Sequence, residues 1–192
     1  MIDFKSLEVA YARYDILREK VIVNSRVILK DAKKLIYAVH KMNASESKKC
    51  LASLDANLTK MHTLLAKNPE LKNEGSFNEA LEEALEAKIF YEFVFNESIP
   101  DFASLEHLGC SQDTYLCAIA DFTGELVRRA VHLVIKEKYA EVEYISETIE
   151  TIHKGFLNFN FRNGALRKKS DSIKYNRLKL EDMLYEIHMK KK

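Results

Sequence analysis

Four carboxylates fall on two stretches of helical periodicity, Glu83 and Glu86 three residues apart, Asp121 and Glu125 four apart. Three residues of α-helix turn a side chain by about 60° and four by about 40°, so each pair shares a face. The stripe of Glu83 and Glu86 continues into Phe90 and Phe93, and that of Asp121 and Glu125 includes Cys117, Ala118 and Arg128. Both stripes lead from acid into core. Acids gathered on such faces repel one another and raise each other's pKa unless positive charge sits among them, and a divalent cation meets that need. All-oxygen ligation suits Mg²⁺ or Mn²⁺, which keep bound waters, activate one of them and stabilise charge on a phosphate. The expected chemistry is phosphodiester hydrolysis. Glu83, Glu86, Asp121 and Glu125 would share the metal, and one of them would take the proton of the attacking water.

The same residues admit a plainer account. Glu79, Glu82, Glu83 and Glu86 form a Glu-rich run of the kind common on solvated helix faces, and Arg128 stands where it can pair with Glu125. A di-iron bundle site falls short, because it needs two Glu-x-x-His pairs and only Glu150 with His153 has that spacing. His132 shares the stripe of Asp121, Glu125 and Arg128 and can touch substrate, whereas His40, His62, His153 and His188 have no charged partner at ligand spacing. Cys50, Cys110 and Cys117 are odd in number and lack CxxC spacing, which argues against a disulfide framework or a structural zinc and fits a reducing, cytoplasmic compartment. With no Cys–His pair apparent, Cys117 reads as a small packing residue rather than a nucleophile.

The elements that must position these groups are helices. With 5 Gly and 2 Pro in 192 residues, turns are too few for a sandwich or barrel, and the length fits one all-α domain. The apolar repeat of Ile16, Leu17, Val21, Ile28, Leu29, Leu35, Ile36 and Val39 predicts one long helix over about Ile2 to Met42. At that length, about 60 Å, it overhangs a domain of this size and predicts contact with other subunits. Ser45 is the expected cap of a second helix to about Lys67. A third, Phe77 to about Asn96, is apolar on so wide an arc that it belongs in the middle of the bundle. Pro100 to Gly109 reads as a connection with one short turn. A fourth helix, capped by Ser111 or Asp113, runs to about Lys138, and a fifth covers about Ala140 to Leu157. Phe156 to Phe161 alternates like a strand but has no partner strand, so it reads as helix end and loop. Asn163 and Gly164 mark the turn into a last helix, Ala165 to Met189. Lys plus Arg number 30 and Asp plus Glu 29, so any binding to nucleic acid must come from local patches. The opening residues lack a signal-peptide core and no stretch approaches the ~18 apolar residues of a membrane span, so the expectation is a soluble, unprocessed protein.

The stretch Tyr115-Leu-Cys-Ala-Ile-Ala-Asp121-Phe-Thr-Gly-Glu125-Leu-Val-Arg128 closely resembles the Y-L-x-x-x-A-D-x-T-G-E-L-x-R segment of translin-associated factor X. Glu82-Glu83-Ala-Leu-Glu86-Ala87 with Phe90 and Phe93 is similar to that family's E-x-x-E-A-x-x-F-x-x-F segment. Ser25-Arg26, Lys33-Lys34 and Ile36 to Lys41 resemble its first-helix pattern, while Asn163 to Tyr175 is more similar to the N-D-S-L-R-K-R-Y-D-G-L-K-Y of translin. The resemblance implies a curved bundle of seven helices, one short helix more than periodicity predicts. It also implies that Glu83, Glu86, Asp121 and Glu125 fill a factor-X acidic site that cleaves RNA with Mg²⁺. Translin itself lacks the full set and serves as a nucleic-acid-binding shell, which is the alternative function. The family's closed, barrel-like octamers imply a homo-oligomer that holds single-stranded RNA, or single-stranded DNA, inside. The chain joins factor-X acids to a translin-like basic tail without the long insertion that animal factor X carries after its third helix. Its implied setting is small-RNA silencing, tRNA processing or general RNA processing.

Such a site needs cations along the phosphate path. The candidates are Arg26, Lys33, Lys34 and Lys41 on the long helix, Arg128 beside the acids, and Arg162, Arg167, Lys168 and Lys169 near the last turn. Arg128 leads, because it lies one turn beyond Glu125 and can reach a phosphate held by the metal. Each of the others has solvated surface as its ordinary role. Tyr and Phe side chains on the inner face could stack bases, but the sequence does not single them out.

Overall fold

A computed structural model describes residues 3–162 and 164–190. Its helices are α1 (Phe4–His40), α2 (Ala44–Lys67), α3 (Gly75–Asn96), α4 (Phe102–Leu105), α5 (Gln112–Ile135), α6 (Tyr139–Phe156) and α7 (Ala165–Lys190), with single 3₁₀ turns at Pro69–Leu71 and Glu106–Leu108. No strand occurs among the described residues, and no helix there is long and apolar enough to cross a membrane. The expected helix start at Ile2 and the turn residue Asn163 lie outside the described residues.

Side-chain caps move several boundaries. Asn43, not Ser45, opens α2, because its side-chain oxygen accepts the Glu46 N–H at 3.1 Å and Ser45 already lies inside the first turn. Ser111 rather than Asp113 caps α5, accepting the Thr114 N–H at 3.1 Å. Helix α3 begins at Gly75, two residues before Phe77, since Glu74 is the last extended residue. Helix α5 stops at Ile135, short of the predicted Lys138, where Glu137 turns left-handed at φ 58° and α6 restarts at Tyr139. Phe156 to Phe161 is helix end and loop, as expected. The rings of Phe156, Phe159 and Phe161 cluster with centroids 5.4 to 6.3 Å apart, which accounts for the strand-like alternation. The predicted short turn between Pro100 and Gly109 is α4 with its following 3₁₀ turn, and Gly109 ends it at φ +72°, a conformation that favours glycine.

Helix α1 packs on α2 and α3, α3 on α5, and α5 on α6 and α7. Helix α3 is buried at Phe77, Ala80, Leu81, Ala84, Leu85, Glu86, Ala87, Ile89, Phe90, Tyr91 and Phe93, positions that run around the whole cylinder. It is the middle of the bundle, which is why Glu86 can be drawn into core surroundings at all. In α1 burial starts only at Val21; Phe4, Leu7, Val9, Tyr11 and Ile16 are exposed, so Ile16 belongs to the surface and not to the core stripe. At 1.5 Å per residue α1 is about 55 Å long, and its first turns project beyond the packed helices. Further along, Asp31 is buried and accepts hydrogen bonds from Ser53 at 2.7 Å and Asn57 at 2.9 Å, pinning α1 to α2. Burial alone would raise its pKa, but the bonds from Ser53, Lys34 and Asn57 outweigh that and lower it.

Candidate acidic site

Helices α1, α3, α5 and α7 wall an open cavity of about 590 Å³. Glu83 and Glu86 enter it from α3, Asp121 and Glu125 from α5, Lys33 and Tyr37 from α1, and Ser172 and Asn176 from α7. All four carboxylates singled out in the sequence therefore line one space. Arg128 stands at its edge, half exposed, with Nη1 3.5 Å from Glu125 Oε2. Helix α7 is fastened to α5 behind the acids, where Asn176 Nδ2 donates to Thr123 Oγ1 at 2.8 Å and Thr123 donates to the Ala120 carbonyl at 2.6 Å.

The four acids differ in surroundings. Glu86 is 7 % exposed and makes no ion pair among the described residues. Burial, with Asp121, Glu125 and Glu83 nearby, pushes its pKa up to about 8. Asp121 and Glu82 share the ammonium of Lys169, which reaches across from α7. One cation between two carboxylates explains both directions there. Burial works against the Lys169 charge, yet its bonds to Asp121 and Glu82 prevail and raise its pKa. Burial raises the pKa of Asp121, and half a share of Lys169, with Glu82 alongside, does not reverse it. Glu125 pairs with Nε2 of His40 as well as with Arg128. The His40 side chain is only 4 % exposed, its Nδ1 has no hydrogen-bond partner among the described residues, and its ring lies 4.7 Å from that of Phe90.

The expectation that His40 lacks a charged partner is thus corrected. Its partner lies 85 residues away, on another helix. His132 lines a smaller cavity with Arg129, Glu141 and His40 itself, and its ring lies 6.0 Å from that of His40. Cys117 is buried and its thiol is pushed up to about 12, by burial first and then by Glu82, so it is no nucleophile near neutral pH. Of the cations expected on a phosphate path, Lys33 and Arg128 line the acidic cavity, while Arg26, Lys33, Lys34 and Lys41 line a groove beside it. Arg167 pairs with Asp171 at 3.5 Å, Lys169 is engaged by the acids, and Arg162 and Lys168 are exposed and line neither space. Glu82, His40, Ser172 and Asn176 join the site without having been singled out. Lys33, Ile36, Tyr37 and His40 share one face of α1, a spacing that could have pointed to His40.

The donor chemistry fits a hard divalent cation: four carboxyl groups face one open space, and one of them is buried and paired with no cation among the described residues. Among the described residues, however, no three His, Cys, Asp or Glu side chains are drawn together at metal-holding spacing. Two of the four acids are turned to Lys169 and to His40 with Arg128. The buried Glu86 also has a consequence for stability. Its proton is held to about pH 8 in the folded chain against an ordinary 4.5, so between those values the folded state binds more protons than the unfolded one. Stability falls as pH rises through that window, and the raised Asp121 adds to the fall. In EDTA, thermal melts between pH 5 and pH 8 should show wild type losing stability and Glu86→Gln losing distinctly less; equal slopes would refute the assignment.

Comparison with known proteins agrees with this architecture. The chain superposes on apo-NeC3PO with a TM-score of 0.85 at 22 % identity, covering 96 % of this chain and 97 % of that one. It superposes on AfC3PO in a complex with duplex RNA with a TM-score of 0.77 at 20 % identity, covering 98 % and 97 %. These likenesses define a C3PO-type helical fold. The translin family model matches residues 16–191, and the chain belongs to that family. An uncharacterised protein of Methanocaldococcus jannaschii is 29 % identical over 163 residues, 83 % of this chain and 71 % of its own length. Translin of Gallus gallus is 32 % identical over 78 residues, which is 41 % of this chain and 34 % of that translin.

Proposed function

We propose that this chain is a metal-dependent endoribonuclease of the translin-associated factor X kind, cutting single-stranded RNA inside a closed, cytoplasmic assembly of its own copies, an octamer by the family resemblance. The observation that carries the reading is Glu86, a buried carboxyl with no ion pair among the described residues, in a cavity it shares with Glu83, Asp121 and Glu125. The relative solved with duplex RNA supports the nucleic-acid part. Bound among these carboxylates, Mg²⁺ or Mn²⁺ would activate water and stabilise charge on a phosphate. The chain's own groups do the rest. Arg128 at the cavity edge grips phosphate oxygens with its planar fork, Lys33 meets the strand from the α1 side, and His40 holds the Glu125 carboxylate in place from behind.

A second reading has its own observation. Asp121 and Glu125 already have partners in Lys169, His40 and Arg128, as expected of a shell that binds RNA without cutting it. The test is a labelled single-stranded RNA incubated with wild type in Mg²⁺, in Mn²⁺ and in EDTA, beside Mn²⁺ titration followed by electron paramagnetic resonance. The nuclease reading expects Mn²⁺ to bind and cutting to require metal. RNA binding without Mn²⁺ binding or cutting would leave the shell.

A further inference from the structure

A second space of about 690 Å³ lies beside the acidic cavity, between α1 and the start of α2. Five cations line it, Arg26, Lys30, Lys33, Lys34 and Lys41, against one acid, Glu46. Two residues, Lys33 and Tyr37, line this groove and the acidic cavity alike. The groove therefore opens into the acids across a sill made by one turn of α1. Tyr37 stands on that sill 59 % exposed, and the ammonium of Lys41 sits over its ring, 5.4 Å from the centroid. None of the hydrogen bonds among the described residues holds its hydroxyl. A large ring left in water between a basic groove and an acidic cavity has no packing reason to be there.

We propose that the groove carries an incoming single strand of RNA and that Tyr37 is the platform on which one unpaired base stacks, setting the next phosphate over the acidic cavity. The inference rests on the RNA-binding part of the function proposed above and adds its strand selectivity. Lys33, Tyr37 and Lys41 recur every four residues, so they stand in line along one face of α1 at steps of about 6 Å. Lys33 stands one turn before the ring and the Lys41 ammonium covers one face of it, so a base would take the opposite face with a cation near the phosphate on either side of it. Stacking on an aromatic ring is open to any base that is unpaired, because each has a free face. A base within a duplex is stacked on its neighbours and offers none. The groove's cations would hold either kind of strand through phosphates, while Tyr37 would favour only the single one.

The measurement is fluorescence anisotropy, in EDTA so that nothing is cut, of a labelled single-stranded RNA of mixed sequence and of the blunt duplex made from it. Wild type, Tyr37→Ala, Tyr37→Trp and Lys33→Met are compared across a salt series. Tyr37→Ala should weaken single-strand binding about tenfold to a hundredfold, leave the duplex unchanged and keep the salt slope. Tyr37→Trp should restore single-strand binding. Lys33→Met should weaken both RNAs and reduce the salt slope by about one. A 2-aminopurine in the strand should be quenched by wild type and not by Tyr37→Ala. The proposal is overturned if Tyr37→Ala binds the single strand like wild type, if it loses both RNAs equally, or if sizing shows that it breaks the assembly, which would make this face a contact between copies. Wild type binding no RNA at low salt would instead overturn the RNA reading itself.

Discussion

Asp121→Asn should bind single-stranded RNA as wild type does and cut it at least about a hundredfold more slowly in Mg²⁺ or Mn²⁺, the scale of removing one group that stabilises charge in a transition state. The substitution keeps the shape of the side chain, so the packing of its neighbour Phe122, which is fully buried, is left alone. What it removes is one of the four carboxyl groups facing the cavity. It also takes from Lys169 one of two carboxylates, leaving Glu82. A Lys169→Met control separates these effects, since it removes the ammonium and keeps Asp121. If the carboxylate itself serves the metal, Asp121→Asn loses cutting and Mn²⁺ affinity together, and Lys169→Met retains Mn²⁺ binding. Equal loss of cutting in both variants, with Mn²⁺ affinity unchanged, would assign Asp121 to an ion pair and overturn its place among the ligands. Single-turnover cleavage with saturating RNA is the readout, so that altered binding does not enter the rate.

The acids were legible in the sequence because what marks them is local. A spacing of three or four fixes the face of a helix, and the apolar residues on that face fix where it points. Glu86 shares the stripe of Phe90, and Asp121 that of Cys117 and Ala118, faces that turn toward the core. Partners on other helices leave no such trace. Lys169 is 48 residues from Asp121 and 87 from Glu82, and it was expected on a phosphate path rather than among the carboxylates. His40 was set aside because its own helix offers it no acid, whereas the packing of α1 on α3, and of α3 on α5, brings it to Glu125. His132 shares the stripe of Asp121, and eleven residues along the helix are about 16 Å; it lines a smaller cavity together with His40, whose ring lies 6.0 Å from its own. Helix existence and order followed from periodicity, while ends were displaced where one side-chain oxygen, that of Asn43 or Ser111, found an N–H. The overhang of α1 followed from its length, but the exposure of Ile16 did not, since an apolar repeat looks the same whether the surface that covers it lies in the same chain or in another.

Phe90→Ala should cost about 3–5 kcal/mol of stability, the usual range for emptying a buried aromatic site, and lower the melting temperature by roughly 10 °C in a chain of this size. Phe90 is fully buried in the helix at the middle of the bundle, with its ring 6.4 Å from that of Phe122 and 4.7 Å from that of His40. The two neighbouring rings cannot close the space without moving α1 or α5. The same contact links the core to the acids, because His40 is held between Phe90 and Glu125. The variant should therefore loosen Glu125 as well as the fold, and Mn²⁺ affinity at a temperature where it is still folded should fall further than in a destabilised control such as Leu54→Ala, a buried residue of α2 away from the acidic cavity. Urea unfolding gives the stability and an Mn²⁺ titration gives the rest. A loss below about 1 kcal/mol would mean that the cavity collapses freely, and equal Mn²⁺ affinities in the two variants would mean that the core supports the fold without tuning the site.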